Sequence, residues 1–500
     1  MRRHLLLICL GALALRLVLL PFVTHPGLAD PTHYYNVGVR MATGEGYTIN
    51  YIWQYNDLYP SVVHADDHWM PLSSVLVWLS VSAFGIGARE AVLPFLLLGA
   101  LLPVISYWAA RQLDLAHTLS LIAAGFAAVV PELVMNSART DTTVPNALLV
   151  CLAILLLNRG WRRGETWAFI VSGIAAGVAY LNRSENILLL PMFIVTLLAL
   201  RGQHWQKALL MPLAAALVVA PWLARNVALN GTFSTPTMMN MFFLTDVNDH
   251  YIFDAHLSLQ TYFASVSPAQ MIGKRLFEMA AGVKMMITTL DGVLPVLVIG
   301  GGLLLLRDRP RWRALAPTAI LLLGVFVFYT MLVPYKAQAG SLKKAYLTLI
   351  PLLIPVGVYA LDRAIANRRL LIGGAVIGIA LMGMNGFELV RADQTMARNY
   401  TTSIEALREV ALTLPDGGDG LVLMTQDPFS LSYVGLSSIV FPQNDRDTLI
   451  AVAQRYGVDY LLMPADRPNL DGILRGDDAR FVPVADVPGT QYVFYRIEAP

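Results

Sequence analysis

Charged residues are scarce. They make up 14% of this 500-residue chain, where soluble proteins carry about 25%. The net charge of +2 excludes the basic field that nucleic-acid binding needs. Cysteine is nearly absent: Cys9 and Cys151 both lie in apolar runs, so no disulfide framework is implied. The chain holds no P-loop, no GxGxxG ahead of a helix, no CxxC and no HExxH. Soluble nucleotide-sugar chemistry therefore has no signpost. Sequence repeats of 20–50 residues and low-complexity tracts are also missing.

What is present is apolar. Hydrophobic residues reach 56% and the mean hydropathy is +0.57. A hydrocarbon core of about 30 Å takes about 20 apolar residues of helix. Segments near that length recur at 4–23, 89–110, 117–135, 142–158, 166–181, 186–200, 208–223, 285–306, 314–333, 345–361 and 370–390. The pattern predicts an all-α polytopic membrane protein of about eleven spans. The first run lacks a small-x-small cleavage site and reads as a retained helix. Residues 71–85 are short for a span and read as a juxtamembrane helix in the first outer loop. With that segment lying flat, nearly every Lys/Arg cluster falls on one side, as the positive-inside rule requires. The N-terminus is then cytoplasmic. Residues 24–70, 136–141, 182–185, 224–284, 334–344 and everything after 391 are outside. A bacterial inner membrane is the expected location.

Residues 392–500 have shorter apolar runs and turn residues. A helix near 394–414, strands at 420–424 and 437–442, a helix at 446–456 and strands at 458–463, 481–486 and 491–497 predict a small α/β domain. The domains expected are thus 1–391 and 392–500.

Chemistry-bearing residues gather in the outer segments. Asp30-Pro31 has the pattern of a helix cap, and a capping carboxylate can also face a cleft and stay ionised. Tyr34 and Tyr35 follow on the same helix. His64, Asp66, Asp67 and His68 mix imidazole and carboxylate as a Zn²⁺ or Mn²⁺ site does, although their spacing is no known ligand pattern and reads first as a solvated polar loop. Arg139 and Asp141 sit at the mouth of a helix pair. Arg183 with Glu185, Arg225, Lys336, Lys343 and Lys344 are basic sites on the side the positive-inside rule disfavours. Snorkelling to headgroups explains any one of them. Several together suit an anionic lipid phosphate. Deep intramembrane charge is nearly confined to Arg16, which argues against a pump or transporter.

These landmarks, taken in order, resemble the polytopic membrane glycosyltransferases of the GT-C fold. The resemblance is to the branch of protein O-mannosyltransferases and lipid A aminoarabinose transferases (glycosyltransferase family 39). It rests on Asp30, Tyr34, Tyr35 and Gly44-Glu45-Gly46-Tyr47. His68-Trp69-Met70-Pro71-Leu72 with Phe84-Gly85 stands where such proteins have a His-Pro-Pro-Leu segment. Ala138-Arg139-Thr140-Asp141, Pro221-Trp222 with Arg225-Asn226, and Lys343-Lys344-Ala345-Tyr346 to Pro351 complete it. The resemblance implies an inverting transfer of a sugar from polyprenyl phosphate to an acceptor hydroxyl on the outer face. The acceptor is a glycan, lipid or protein. It implies catalytic roles for Asp30 and Asp141 and donor-phosphate contacts from Arg139, Arg183, Arg225, Lys336, Lys343 and Lys344. Tyr34, Tyr35, His68 and Glu185 are then candidates for acceptor or substrate contact. No cofactor follows with certainty, and a divalent metal at the His64–His68 segment stands only as a candidate. Two rival readings are an oligosaccharide transferase using a diphosphate-linked donor and a non-enzymatic flippase or transporter of lipid-linked sugars.

Overall fold

The computed structural model describes residues 2–200, 204–289, 293–334, 338–415 and 420–498. The helices of the first half are α1 (Arg2–Leu19), α2 (Asp30–Ala42), α3 (Leu72–Phe84), α4 (Ala88–Gln112), α5 (His117–Val129), α6 (Pro131–Ser137), α7 (Thr143–Arg163), α8 (Thr166–Tyr180), α9 (Leu189–Leu200), α10 (Trp205–Ala208) and α11 (Leu210–Asn230). A segment with the short helices α12 (Pro236–Asn240) and α13 (Leu259–Ser265) follows. Then come α14 (Pro268–Thr289), α15 (Val293–Leu306), α16 (Arg309–Val327), α17 (Lys343–Ala364) and α18 (Arg368–Thr413).

Among the described residues, seven helices are long and apolar enough to cross a membrane, and nine if two bent pairs each count as one. The expected eleven included those pairs, α5 with α6 and α14 with α15. It also included two segments that fold as helices of only 15 and 12 residues, α8 and α9. Hydropathy registers apolar length. Where helix ends fall is decided by breaks such as Asn182 to Ser184, which windowed hydropathy smooths over.

One intramembrane break explains Arg16. Pro131 has no N–H and interrupts the helix ladder, and α5 and α6 meet at 52°. Arg16 is fully buried against that break. Its Nη1 donates to the Ala128 carbonyl at 3.0 Å and its Nε to Ser137 Oγ at 3.1 Å. Gly99 leaves the room, since a Cβ there would lie 2.6 Å from Arg16 Nε.

α3 is helical as expected. It packs on α2 through Gly38, where a Cβ would meet Val77 at 2.5 Å. The helix expected near 394–414 is the outer end of α18, which runs unbroken for 46 residues, about 69 Å. A boundary at 391 therefore falls inside a helix.

Strands β1 (Thr48–Ile49) and β3 (His64–Ala65) pair with each other. A second sheet contains β2 (Tyr51–Ile52), β4 (Val422–Thr425), β5 (Ser437–Val440), β6 (Tyr460–Met463), β7 (Phe481–Asp486) and β8 (Val493–Ile497). Its order is β2-β5-β4-β6-β8-β7, with β2, β5, β4 and β6 parallel. Helices α19 (Pro428–Tyr433) and α20 (Arg446–Tyr456) form the crossovers, and α21 (Asp471–Leu474) follows β6. The edge strand β2 comes from the segment between α2 and α3, with Tyr51 opposite Ser438 and Ile52 opposite Ile439. The C-terminal sheet is thus completed by the N-terminal part of the chain.

Candidate active site

α2 starts beside the segment between α6 and α7. Thr140 N donates to the Pro26 carbonyl at 3.0 Å, and Thr140 Oγ1 to that of Pro31 at 2.6 Å. This tie brings Asp30 and Asp141 to one place. Asp30 is the first residue of α2; the N-cap is Ala29, held at φ 60°, and no side chain caps the helix. The expected capping role therefore passes from Asp30. A non-glycine residue at positive φ is strained, and such strain gathers at functional sites.

Lys344, at the start of α17, bridges the two carboxylates. Its Nζ donates to Asp141 Oδ2 at 2.7 Å and to Asp30 Oδ2 at 3.0 Å. Asp141 is 2% exposed and also accepts from Thr143 N at 2.7 Å. Asp30 is 43% exposed. Burial raises both carboxyls, but Lys344 outweighs it. Asp30 lies below the ordinary carboxylate range and Asp141 falls to about 2. Both are ionised at neutral pH.

Asp30 opens onto a 430 Å³ cavity lined also by Tyr34, His68, Trp69, Asn182, Arg183 and Glu185. Arg183 and Glu185 meet fork to fork, Nε to Oε1 and Nη2 to Oε2, both at 2.7 Å. Tyr329 donates a further hydrogen bond to Glu185. The opposite wall is apolar, with Met238, Met239, Met241 and Phe242. A second cavity of 600 Å³, lined by apolar side chains of α8, α9 and α11, shares Tyr180 and Ile187 with the first.

The other candidates lie elsewhere. Arg139 is bound fork to fork by Asp393 of α18, with Nε to Oδ2 at 2.9 Å. Arg225 lies over Tyr47 and Trp222 and donates to the Asp66 carbonyl at 2.7 Å. Lys343 pairs with Glu132 at 2.7 Å. None of the three lines the cavity, and Lys336 lies outside the described residues. Tyr35 packs on Tyr433 and the α3 face, away from the cavity.

The four metal candidates do not converge. Asp66 takes His33 Nε2 at 3.1 Å and Asp67 accepts from Tyr59 at 2.9 Å. His64 stacks on Tyr59 with centroids 3.7 Å apart, and His68 packs against Trp53 and Trp69. Among the described residues no three His, Cys, Asp or Glu side chains group as a metal site. Asp66 and Asp67 each have an oxygen engaged by a protein partner, whereas His64 Nε2 and His68 Nδ1 are buried with no hydrogen-bond partner among the described residues and do not gather with the carboxylates about one point. Burial holds His64 and His68 neutral, each down to about 4.

The sequence reading missed Tyr329, Asn182, Ser184 and the methionine wall. It also missed His33, for which a signal existed: it lies one helical turn from Asp30.

The architecture is the GT-C fold. Residues 67–224 match the family model described as Dolichyl-phosphate-mannose-protein mannosyltransferase, and the chain is a GT-C-fold membrane protein similar to glycosyltransferase family 39. Among solved structures it is similar to ArnT from Cupriavidus metallidurans bound to undecaprenyl phosphate. That likeness has 18% identity and a TM-score of 0.64, over 98% of this chain and 97% of that one. The apo state of the same protein gives 17% and 0.63 over the same shares. The oligosaccharyltransferase AglB from Archaeoglobus fulgidus, in complex with an inhibitory peptide and a dolichol-phosphate, is similar at 13% identity. Its TM-score is 0.59, over 92% of this chain and 69% of that one. No curated protein matches the sequence.

Proposed function

We propose that this protein is an inverting glycosyltransferase that moves a sugar from a polyprenyl-phosphate donor to an acceptor hydroxyl on the outer face of a bacterial inner membrane. Its N-terminus is cytoplasmic and its C-terminal sheet extracytoplasmic. The observation that carries the reading is the Asp30–Lys344–Asp141 cluster, open to a cavity that continues into an apolar groove. The groove suits a prenyl chain and the polar cavity its sugar phosphate. ArnT and AglB, which share the fold, bind polyprenyl phosphates, and this supports the same donor class here.

In this reading the acceptor hydroxyl attacks the anomeric carbon while the bond from that carbon to the phosphate oxygen breaks. One displacement inverts the centre. Asp30, ionised and half open, orients the hydroxyl and takes its proton. Asp141, buried under Lys344, holds the ammonium in place. Lys344 and Arg183 are the cations nearest the leaving phosphate. Both arrive already paired with carboxylates, which favours one phosphate over two and so a monophosphate over a diphosphate donor.

Asp30→Asn keeps the shape and removes the proton acceptor. It should lower transfer about 10²–10⁴-fold, measured as release of polyprenyl phosphate from a glycosylated lipid. Transfer at the native rate overturns the assignment. Product formation from the diphosphate lipid alone would select the oligosaccharide-transferase reading. Lipid movement without product would select the flippase.

A further inference from the structure

The wall of the cavity beside Asp30 is aromatic, and its support is specific. Trp69 lines the cavity and stacks on His33, with ring centroids 3.9 Å apart at 30°. His33 is fully buried. Its Nε2 meets Asp66 Oδ2 at 3.1 Å and its Nδ1 meets Tyr51 Oη at 2.5 Å. Each ring nitrogen thus has its own partner, and the two together fix the plane of the ring. His33 is one turn along α2 from Asp30, so the helix that presents the carboxylate also fixes the indole. Trp53, His68 and Phe429 close around Trp69 at 4.9, 4.6 and 5.7 Å. Phe429 belongs to the C-terminal sheet domain, and its carbonyl accepts from Asn36 of α2 at 3.0 Å. Trp69 therefore stands between the cavity and a packed stack drawn from both halves of the chain.

The face of an aromatic ring is negative and suits the C–H groups of a sugar ring, while the single neutral indole N–H is a weaker phosphate ligand than the ammonium of Lys344 or the guanidinium of Arg183. We propose that Trp69 is the sugar-contacting wall that sets donor specificity, and that His33, held by Asp66 and Tyr51, is its positioning residue. The proposal rests on the glycosyl-transfer reading and deepens it. It assigns the side of the cavity under Trp69 to the sugar, leaving Arg183 and Lys344 to the phosphate.

The test measures binding to the full-length protein in nanodiscs. The probes are bare undecaprenyl phosphate and undecaprenyl phosphates carrying glucose, mannose or arabinose. At least one glycosylated lipid should bind wild type about tenfold tighter than the bare lipid, the scale of a stacked aromatic contact. Trp69→Ala should erase that gain and leave bare-lipid affinity within about twofold. Trp69→Phe should keep most of it. His33→Ala should reproduce the selective loss, and His33→Ala with Trp69→Ala should be no worse than either alone, because residues acting as one unit are not additive. The proposal is overturned by a wild type that gains nothing from any of the sugars. An equal loss for bare and glycosylated lipid, in a variant with the native unfolding midpoint, overturns it too, as does additivity of the two substitutions. If Trp69→Ala does not fold, Trp69→Leu, which keeps bulk without a ring face, is read the same way. Failure of the transfer reading looks different: wild type then binds the glycosylated lipid but releases no undecaprenyl phosphate.

Discussion

Asp30 and Asp66 are both carboxylates of the stretch between α1 and α3, and each meets one basic partner across the fold. Asp30 meets Lys344, with the carboxylate 43% exposed to a cavity. Asp66 meets His33, with neither side chain exposed. The first pair can exchange its partner for a substrate, because the carboxylate already faces solvent and loses little by turning. The second cannot, since uncovering a buried charge costs several kcal/mol. The same residue type is thus open to a new partner in one place and locked into the scaffold in the other, and the difference is exposure and not pairing.

The comparison can be broken at either end. Asp30→Asn should show the largest change, the loss of transfer of about 10²–10⁴-fold, with the unfolding midpoint in detergent unmoved. A fall in that midpoint would put Asp30 with the scaffold. Because Lys344 holds the Asp30 carboxyl below its ordinary range, wild-type transfer should not lose rate through this group between pH 8 and pH 5. The loss should come only as pH falls through and below the usual carboxylate value of about 3.9.

Lys344→Met leaves Asp141 buried without its counter-ion. It should destabilise the protein by about 3–5 kcal/mol, seen in denaturant unfolding, and adding Asp141→Asn should recover most of it. A single variant as stable as wild type would show that the pair is not buried in solution.

Asp67 sharpens the scaffold side. Burial and the charge of Asp66 push its carboxyl up to about 7. The native state then keeps a proton that the unfolded chain releases near 3.9, so native stability falls as pH rises between about 4 and 7 and is level above. Asp67→Asn should flatten that slope and be more stable than wild type at pH 8. An unchanged slope would sink the assignment.

The smallest effect belongs to Lys343. Its pairing with Glu132 is half exposed and outside the cavity. Lys343→Met should cost at most about 1 kcal/mol and leave transfer within about twofold. A large loss of activity would return Lys343 to the phosphate site.

Much of this was legible before folding. The seven full spans, the short α3, and the strands and helix between 422 and 497 follow from apolar length and period. Those are properties of neighbouring residues, and hydropathy sums them. Asp30, Asp141, Arg183, Glu185 and Lys344 could be placed on one face because charge sidedness is also written along the chain. Arg139, Arg225 and Lys343 were equally eligible by that rule but neither line the cavity nor join the Asp30–Lys344–Asp141 cluster. Their partners, Asp393, the Asp66 carbonyl and Glu132, lie far away in sequence, and no local pattern names them. The strand β2 was invisible for the same reason: two residues, Tyr51 and Ile52, form a strand only because β5 offers an edge.

By itself, then, the sequence determined a membrane protein of many spans, with acidic and basic residues in the segments that join them, and a C-terminal α/β unit. Composition and periodicity decide burial in lipid or water, and they act residue by residue. Tertiary structure alone decided that Lys344 joins Asp30 to Asp141, that Asp66 is sealed by His33, and that the C-terminal sheet borrows its edge strand from the segment between α2 and α3. Each of these is a contact across more than 30 residues of chain. A short-range interaction of that kind exists only after packing has brought its partners within a few ångströms.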